Sequence, residues 1–448
     1  MWFSQPQPTV YAQMSAESIV STYLAETDAP AAAVAVIDSD GLDVVARGRG
    51  VDGQPLTTDT PLRLASLTKA FTATLAALLA YEGTLDLDRP VVSYVPTLQL
   101  ADPRFRTITM RHLLMHRSGL TDTSIDVESL LRSRTSTDFV ERLDGARLDS
   151  DPGREFRYCN VNYNLAAAVI ERVTGRAFDD VLHERILAPL GMTSTTFIDP
   201  AGDPGRGWNE LLGRWFTTAE PGGYGPGSGG LMSTAHDMGL WMRAQLGGAQ
   251  EVIPAKVLET AQNPPEGVEY AMGWSKDDSG ARVHSGNLFT ATSAQLVRSQ
   301  DKSAVVVLMN SASMVDMAYP LMQALDHAHT ARTGSDEFAV TDTLTTANRI
   351  VAVALATVLS AFCVGLVRVR WWRHRTAAST VPRRLLRSTW LLVPLVVLLS
   401  ARRLTEFVTG GRSVRWIEIA HLVPAGLLVI GVTAACGVIV FAARTCRR

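Results

Sequence analysis

Two regimes of hydrophobic patterning divide the chain. Up to about residue 330 apolar positions come in short runs broken by turn residues, and beyond Arg349 they come in long uninterrupted blocks. In the first regime Ala31–Ile37 and Leu42–Ala46 are β-favouring runs joined by Asp and Gly, as an antiparallel hairpin requires. Ser293–Val297 and Ser303–Met309 are of the same kind near the far end of this region. Between them Leu67–Glu82, Val161–Val173 and Ala177–Leu187 carry helical patterns. Strands at both ends with helices between predict one sheet built from the two chain ends, holding an inserted helical region. The expected fold class is an α/β body with an all-helical insertion. Its α/β lobe comprises residues 14–58 and 224–330, and its helical lobe residues 59–223.

In the second regime Ile350–Val367 offers 18 consecutive uncharged positions and Ile419–Ala443 offers 25. Either run can cross a hydrocarbon core of roughly 30 Å. A third run, Thr389–Ala401, has 13 residues and contains Pro394. Residues 349–448 therefore read as a membrane tail with two or three transmembrane helices. A polar linker, 331–348, rich in Thr, Asp and Gly, joins it to the body. Seven arginines between Arg368 and Arg387 mark a cytoplasmic loop under the positive-inside bias, which places the body outside. Export requires a leader. Met1–Pro8 is polar, whereas Val10-Tyr11-Ala12-Gln13 resembles a signal-peptidase site, so the charged and apolar parts of a leader are expected upstream of Met1.

Composition sharpens this division. The 448 residues are 46% hydrophobic and 19% charged, enough apolar surface for several cores, which excludes disorder as the main state. The net charge of −2 hides 15 arginines against two glutamates in residues 349–448, and hence an acidic body. A nucleic-acid binder would carry its basic residues on the folded domain, so no nucleic-acid partner is expected. Four cysteines without a CxxC make neither a disulfide framework nor a zinc site. Gly48-Arg-Gly50-Val-Asp-Gly53 fits G-x-G-x-x-G, but the Pro- and Thr-rich sequence that follows opens no helix and reads as a hairpin turn. His112 and His116 are four apart without the Glu of a zinc protease motif. No G-x-S-x-G occurs.

Lysine usage points to chemistry. Of 42 basic residues only Lys69, Lys256, Lys276 and Lys302 are lysines, and Lys69 alone lies in an apolar stretch. Arginine stays protonated, whereas a buried lysine can lose its proton. Ser66 precedes Lys69 by three residues, so a helix starting there brings hydroxyl and amine to one face, with free amides at hand for an oxyanion. On these residues alone a Ser N-cap followed by an ordinary Lys is the better reading, because S-x-x-K is a common spacing.

Longer segments decide between the two. Leu64-Ala-Ser-Leu-Thr-Lys69, Ile108-Thr-Met-Arg-His-Leu-Leu-Met-His-Arg-Ser-Gly-Leu120, Tyr158-Cys159-Asn160, Pro189-Leu-Gly-Met192 and Gly227-Ser-Gly-Gly-Leu-Met-Ser-Thr234 follow one another in order. Together they resemble the penicillin-recognising serine enzymes, in the branch holding class C β-lactamases and related peptidases and esterases. The resemblance covers Ser15 to His327 and none of the tail. It implies Ser66 as nucleophile, Lys69 as its proton partner and Tyr158 as a proton relay. It also implies that Asn160 orients Lys69 and the substrate carbonyl. Most members of the wider family carry Lys-Thr-Gly on the strand beside the site; here His284-Ser285-Gly286-Asn287 stands in its place. By the same resemblance these four residues bind substrate, and the amides of Asn287 and Ser66 form the oxyanion hole. A neutral His draws a carboxylate less than Lys does, which favours a peptidase, amidase or esterase over a penicillinase. The expected function is a membrane-anchored acyl-serine hydrolase acting on an amide or ester, most simply a peptide containing D-residues. Its partners are that small acyl or peptide substrate and the lipid bilayer. No metal or organic cofactor is implied. A β-lactamase, or a sensor that binds penicillins or cell-wall peptides without turnover, are the alternatives.

Overall fold

The computed structural model describes residues 14–199, 202–203, 205–265, 267–330, 339–376, 380–408 and 414–445. The Val10–Gln13 segment and residues 331–338 of the linker lie outside them. The chain separates into two compact units, residues 1–209 with 215–341, and residues 210–214 with 342–448.

The first unit opens with α1 (Ala16–Thr27), started by the Ser15 side chain accepting from the Ser18 amide, and continues into β1 (Ala31–Asp38) and β2 (Gly41–Gly48). Ala65–Leu67 forms a 3₁₀ turn that leads directly into α2 (Thr68–Tyr81). Then come α3 (Asn160–Thr174) and α4 (Ala235–Gln245), followed by β3 (Ser275–Lys276), β4 (Arg282–Asn287), β5 (Thr292–Arg298), β6 (Ser303–Met309) and α5 (Ala318–Thr330). One antiparallel six-stranded sheet runs in the order β2-β1-β6-β5-β4-β3. Two of its inner strands, β1 and β6, pair with Val34 opposite Val307, so the two ends of this unit meet there as the pattern predicts.

Both of these strands are apolar without alternation because both faces are covered. Ala31, Ala33 and Ala35 of β1 join the large core that includes Met238 and Trp241 of α4. Ala32, Val34 and Val36 are equally buried but face the other way, on the side of α1 and α5. The predicted helix Ala177–Leu187 is an α-helix only over Phe178–Leu182 and widens into a π turn over His183–Leu187.

Helix α2 is the pivot. Every residue from Thr68 to Leu79 is buried, so it is a core helix on all sides rather than an amphipathic one. That burial encloses the Lys69 side chain completely.

The long helix α6 (Ala339–Val367) starts well ahead of the apolar run that opens after Arg349, because residues 339–348, expected as linker, form its first turns. It is followed by α7 (Val369–Arg375), a 3₁₀ turn over Thr389–Leu392, α8 (Val393–Leu399), α9 (Ala401–Val408), α10 (Trp416–Leu422) and α11 (Pro424–Thr445). The apolar run Ile419–Ala443 is not one helix. It breaks at Val423, because Pro424 has no N–H to give and disfavours helical backbone in the residue before it. Asp342–Val367 and Pro424–Thr445 are long and apolar enough to cross a membrane. These two helices finish at the same end: the Arg444 guanidinium lies 5.3 Å from the Trp372 ring centre and 5.9 Å from that of Trp390. Two helices finishing together require a return between them, and the helical pieces from Thr389 to Leu399 pack along α11 to make it.

Candidate active site

The backbone at Ser66 is built for exposure of one hydroxyl. Ala65 adopts the left-handed region at φ 49°, a conformation that costs an alanine about 1–2 kcal/mol. The sharp turn it makes sets Ser66 at the mouth of α2. Leu64 pins the turn on both sides, its N–H donating to the Leu231 carbonyl at 2.9 Å and its carbonyl accepting from the Ser293 hydroxyl at 2.7 Å. Lys69 follows three residues later in the first turn of α2, so its side chain comes to the same face as Ser66.

Lys69 Nζ lies 3.0 Å from Ser66 Oγ and donates to the Ser228 carbonyl at 2.7 Å. It also sits 5.0 Å from the Tyr158 ring centre and 5.7 Å from that of Tyr163. Burial lowers the Lys69 pKa to about 7, against the opposing influence of Cys159 and the Asp122 carboxylate. At neutral pH a large fraction of this amine is uncharged. Tyr158 is 42% exposed, yet its hydroxyl turns inward and donates to Ser66 Oγ at 2.9 Å. Loss of water around the phenol raises its pKa to about 12, partly offset by the bond to Ser66, so it stays protonated and acts as donor. Ser66 Oγ thus has an amine on one side and a phenol on the other. A basic amine can take its proton, and a protonated phenol can pass one on.

Strand β4 forms the facing wall. A Cβ on Gly286 would fall 2.5 Å from Ser293 Oγ, 2.9 Å from the Ala65 Cβ and 2.9 Å from the Leu64 carbonyl oxygen. Only glycine lets this strand approach the Ser66 turn so closely. His284 shares that inner face and is buried. Desolvation, then the nearby Lys69 charge, depress its pKa to about 3, so it is neutral throughout the physiological range. Ser285, half-buried, and Asn287, exposed, alternate onto the other face.

These features have a family. The chain belongs to the β-lactamase family, whose sequence model matches residues 16–329. Among its relatives, protein flp of Staphylococcus aureus strain MW2 is 27% identical over 365 residues, covering 75% of this chain and 70% of that protein. Penicillin-binding protein 4 of Amycolatopsis lactamdurans is 34% identical over 176 residues, 37% of this chain and 44% of that one. Among solved structures, the octameric penicillin-binding protein homologue from Pyrococcus abyssi superposes with a TM-score of 0.60 at 24% identity, covering 71% of this chain and 77% of that one. A D-stereospecific amidohydrolase from Streptomyces does so with a TM-score of 0.56 at 25% identity, over 71% of this chain and 98% of that one.

Of the residues singled out from the sequence, Ser66, Lys69 and Tyr158 meet at one oxygen, with His284 and Gly286 on the adjoining strand. Asn160 does not join them in the expected way. It is the exposed first residue of α3, and among the described residues no hydrogen bond links it to Lys69. The Ser228 carbonyl, brought in by the Pro226–Gly229 turn, holds the amine instead. Sequence reasoning also passed over Asp122, whose Oδ1 accepts from the Cys159 thiol at 3.4 Å and whose charge reaches Lys69. No pattern marks a lone loop aspartate as close to a lysine more than fifty positions earlier.

Proposed function

We propose that this member of the β-lactamase family is an acyl-serine hydrolase that cleaves an amide or ester whose leaving side carries no charge, a short peptide or amide with D-residues being the preferred class. What carries the proposal is Ser66 Oγ, which has Lys69 Nζ at 3.0 Å and the Tyr158 hydroxyl at 2.9 Å. In the reaction neutral Lys69 takes the Ser66 proton as Oγ bonds to the substrate carbonyl carbon. The oxyanion is held by the amides of Ser66 and Asn287. When the tetrahedral adduct collapses, the bond to the leaving nitrogen or oxygen breaks and Tyr158 donates its proton there, regaining one from the Lys69 ammonium. Water then attacks the acyl-enzyme by the same relay in reverse and frees Ser66.

Uncharged His284 supports the leaving-side preference, since it offers no cation to a free carboxylate. The amidohydrolase named for D-stereospecificity, of the same fold, supports the substrate class. Two long apolar helices and the arginine-rich segment from Arg368 to Arg387 support anchorage in a membrane with residues 14–330 on the outer side.

A hydrolysis panel tests the proposal: a D-amino-acid amide, a p-nitrophenyl ester, a D-Ala-D-Ala peptide and a cephalosporin, each with Ser66→Ala as control. Turnover of amide and ester ahead of the two carboxylate substrates, abolished in Ser66→Ala, is the expected result. Acylation by a penicillin without release would show a sensor instead.

A further inference from the structure

We propose that His116 is a positioning residue for Tyr158, fixing the phenol on Ser66 through contacts to both of its chain neighbours. This rests on the relay described above, in which Tyr158 is the proton donor.

The residue is held in an unusual state. His116 has φ 54°, left-handed backbone that a non-glycine side chain adopts at a penalty, and it is fully buried. From that position it grips the strand-like segment around Tyr158 at two points. Its carbonyl accepts from the Arg157 N–H at 2.8 Å, and its Nδ1 accepts from the Cys159 N–H at 3.2 Å. Tyr158 stands between those two amides, and the imidazole itself lies against the phenol ring at 4.3 Å between centres, tilted by 36°. Three contacts therefore fix the backbone on either side of Tyr158 and the plane of its ring.

A second layer sets which way the imidazole faces. The Ser118 hydroxyl donates to Asn162 Oδ1 at 2.6 Å, which turns the Asn162 amide nitrogen toward His116 Nδ1 at 3.3 Å. With two donors converging on Nδ1, the ring proton belongs on Nε2 and the ring is neutral. Burial and then the Lys69 charge push its pKa well down, consistent with that state. Nε2 has no hydrogen-bond partner among the described residues. An unmet buried donor costs about 1–3 kcal/mol, so packing alone does not account for an imidazole here. Its acceptor nitrogen and its flat face do. The Arg117 backbone continues the same clamp, its carbonyl accepting from the Gly153 N–H at 2.7 Å.

A histidine that only fills the core and one that positions Tyr158 differ in a double-mutant cycle. The readout is kcat for hydrolysis of a D-amino-acid amide by the full-length protein, because its amine leaves only when protonated and so reports on Tyr158. His116→Gly removes the side chain while suiting φ 54°. It is expected to slow amide hydrolysis by about thirtyfold or more in the parent and by less than threefold in Tyr158→Phe. His116→Asn, which tolerates left-handed backbone and keeps an acceptor, is expected to restore hydrolysis to within about fivefold of the parent. Equal slowing by His116→Gly in both backgrounds would overturn the proposal. If His116→Gly does not fold, as judged by thermal melting, His116→Leu is compared with His116→Asn. Both then have a side chain in the strained backbone, and equal hydrolysis by the two would overturn it as surely. A parent that cleaves no amide at all would instead refute the amide-hydrolase reading itself.

Discussion

The Lys69 amine donates to the backbone carbonyl of Ser228 at 2.7 Å, across 159 positions of sequence. A neutral amine has two N–H bonds and one lone pair. Committing an N–H to a fixed carbonyl leaves the lone pair free to face Ser66 Oγ, 3.0 Å away. The Ser228 carbonyl therefore aims the base as well as anchoring it.

That base is bought with stability. Lys69 is fully buried and its pKa falls from 10.5 to about 7 on folding. Between those values the unfolded chain binds more protons than the folded one, so stability rises with pH from about 7 to 10.5 and the penalty is complete below 7. Lys69→Met is expected to be inactive, to be the more stable protein at pH 6 by the order of a few kcal/mol, and to lose that pH slope. Denaturant unfolding at pH 6, 8 and 10 measures it. A parent whose stability does not change between pH 7 and 10 would contradict the buried, neutral amine.

Tyr158→Phe separates proton donation from general damage. A donor to the leaving group matters for an amine, which cannot depart unprotonated, and little for p-nitrophenolate. The variant is expected to lose about 10²–10⁴ in kcat on amides and less than tenfold on p-nitrophenyl esters. Equal losses on both would assign Tyr158 another role.

Gly286 sets the width between β4 and the Ser66 turn. In Gly286→Ala the new methyl meets Ser293 Oγ at 2.5 Å and the Leu64 carbonyl at 2.9 Å, and Leu64 is the residue that pins the turn. Destabilisation of about 1–3 kcal/mol is expected, together with a fall in kcat larger than the change in KM. Thermal melting and steady-state kinetics report the two effects. Unaltered kinetics would mean that the strand does not shape the site.

His284→Lys places a cation where the strand now carries a neutral ring. The ratio of kcat/KM for a carboxylate-ended peptide to that for its amide is expected to rise by about tenfold or more. An unchanged ratio would remove His284 from selectivity.

Much of this was legible in the chain. The continuous apolar runs Ala31–Ile37 and Ser303–Met309 gave away inner strands, and the scarcity of lysine isolated Lys69. Local motifs reported Ser66 and Tyr158 because turn and helix starts are local properties. What escaped was determined by contacts between distant segments: the Ser228 carbonyl is a backbone group that any residue supplies, and Asp122 is one acid among many. Asn160 shows the converse, a residue in the expected motif that makes no bond to the amine. In the tail, hydropathy marked Ile419–Ala443 as one span, whereas the single imino acid Pro424 ends one helix and starts another.

The most direct measurement is the pH dependence of Ser66 labelling by a fluorophosphonate between pH 5 and 9, with the site located by peptide mass spectrometry. If neutral Lys69 is the base, the rate climbs about tenfold per unit at low pH, bends near pH 7 and then levels. A flat profile, or a label that persists in Ser66→Ala, would contradict it.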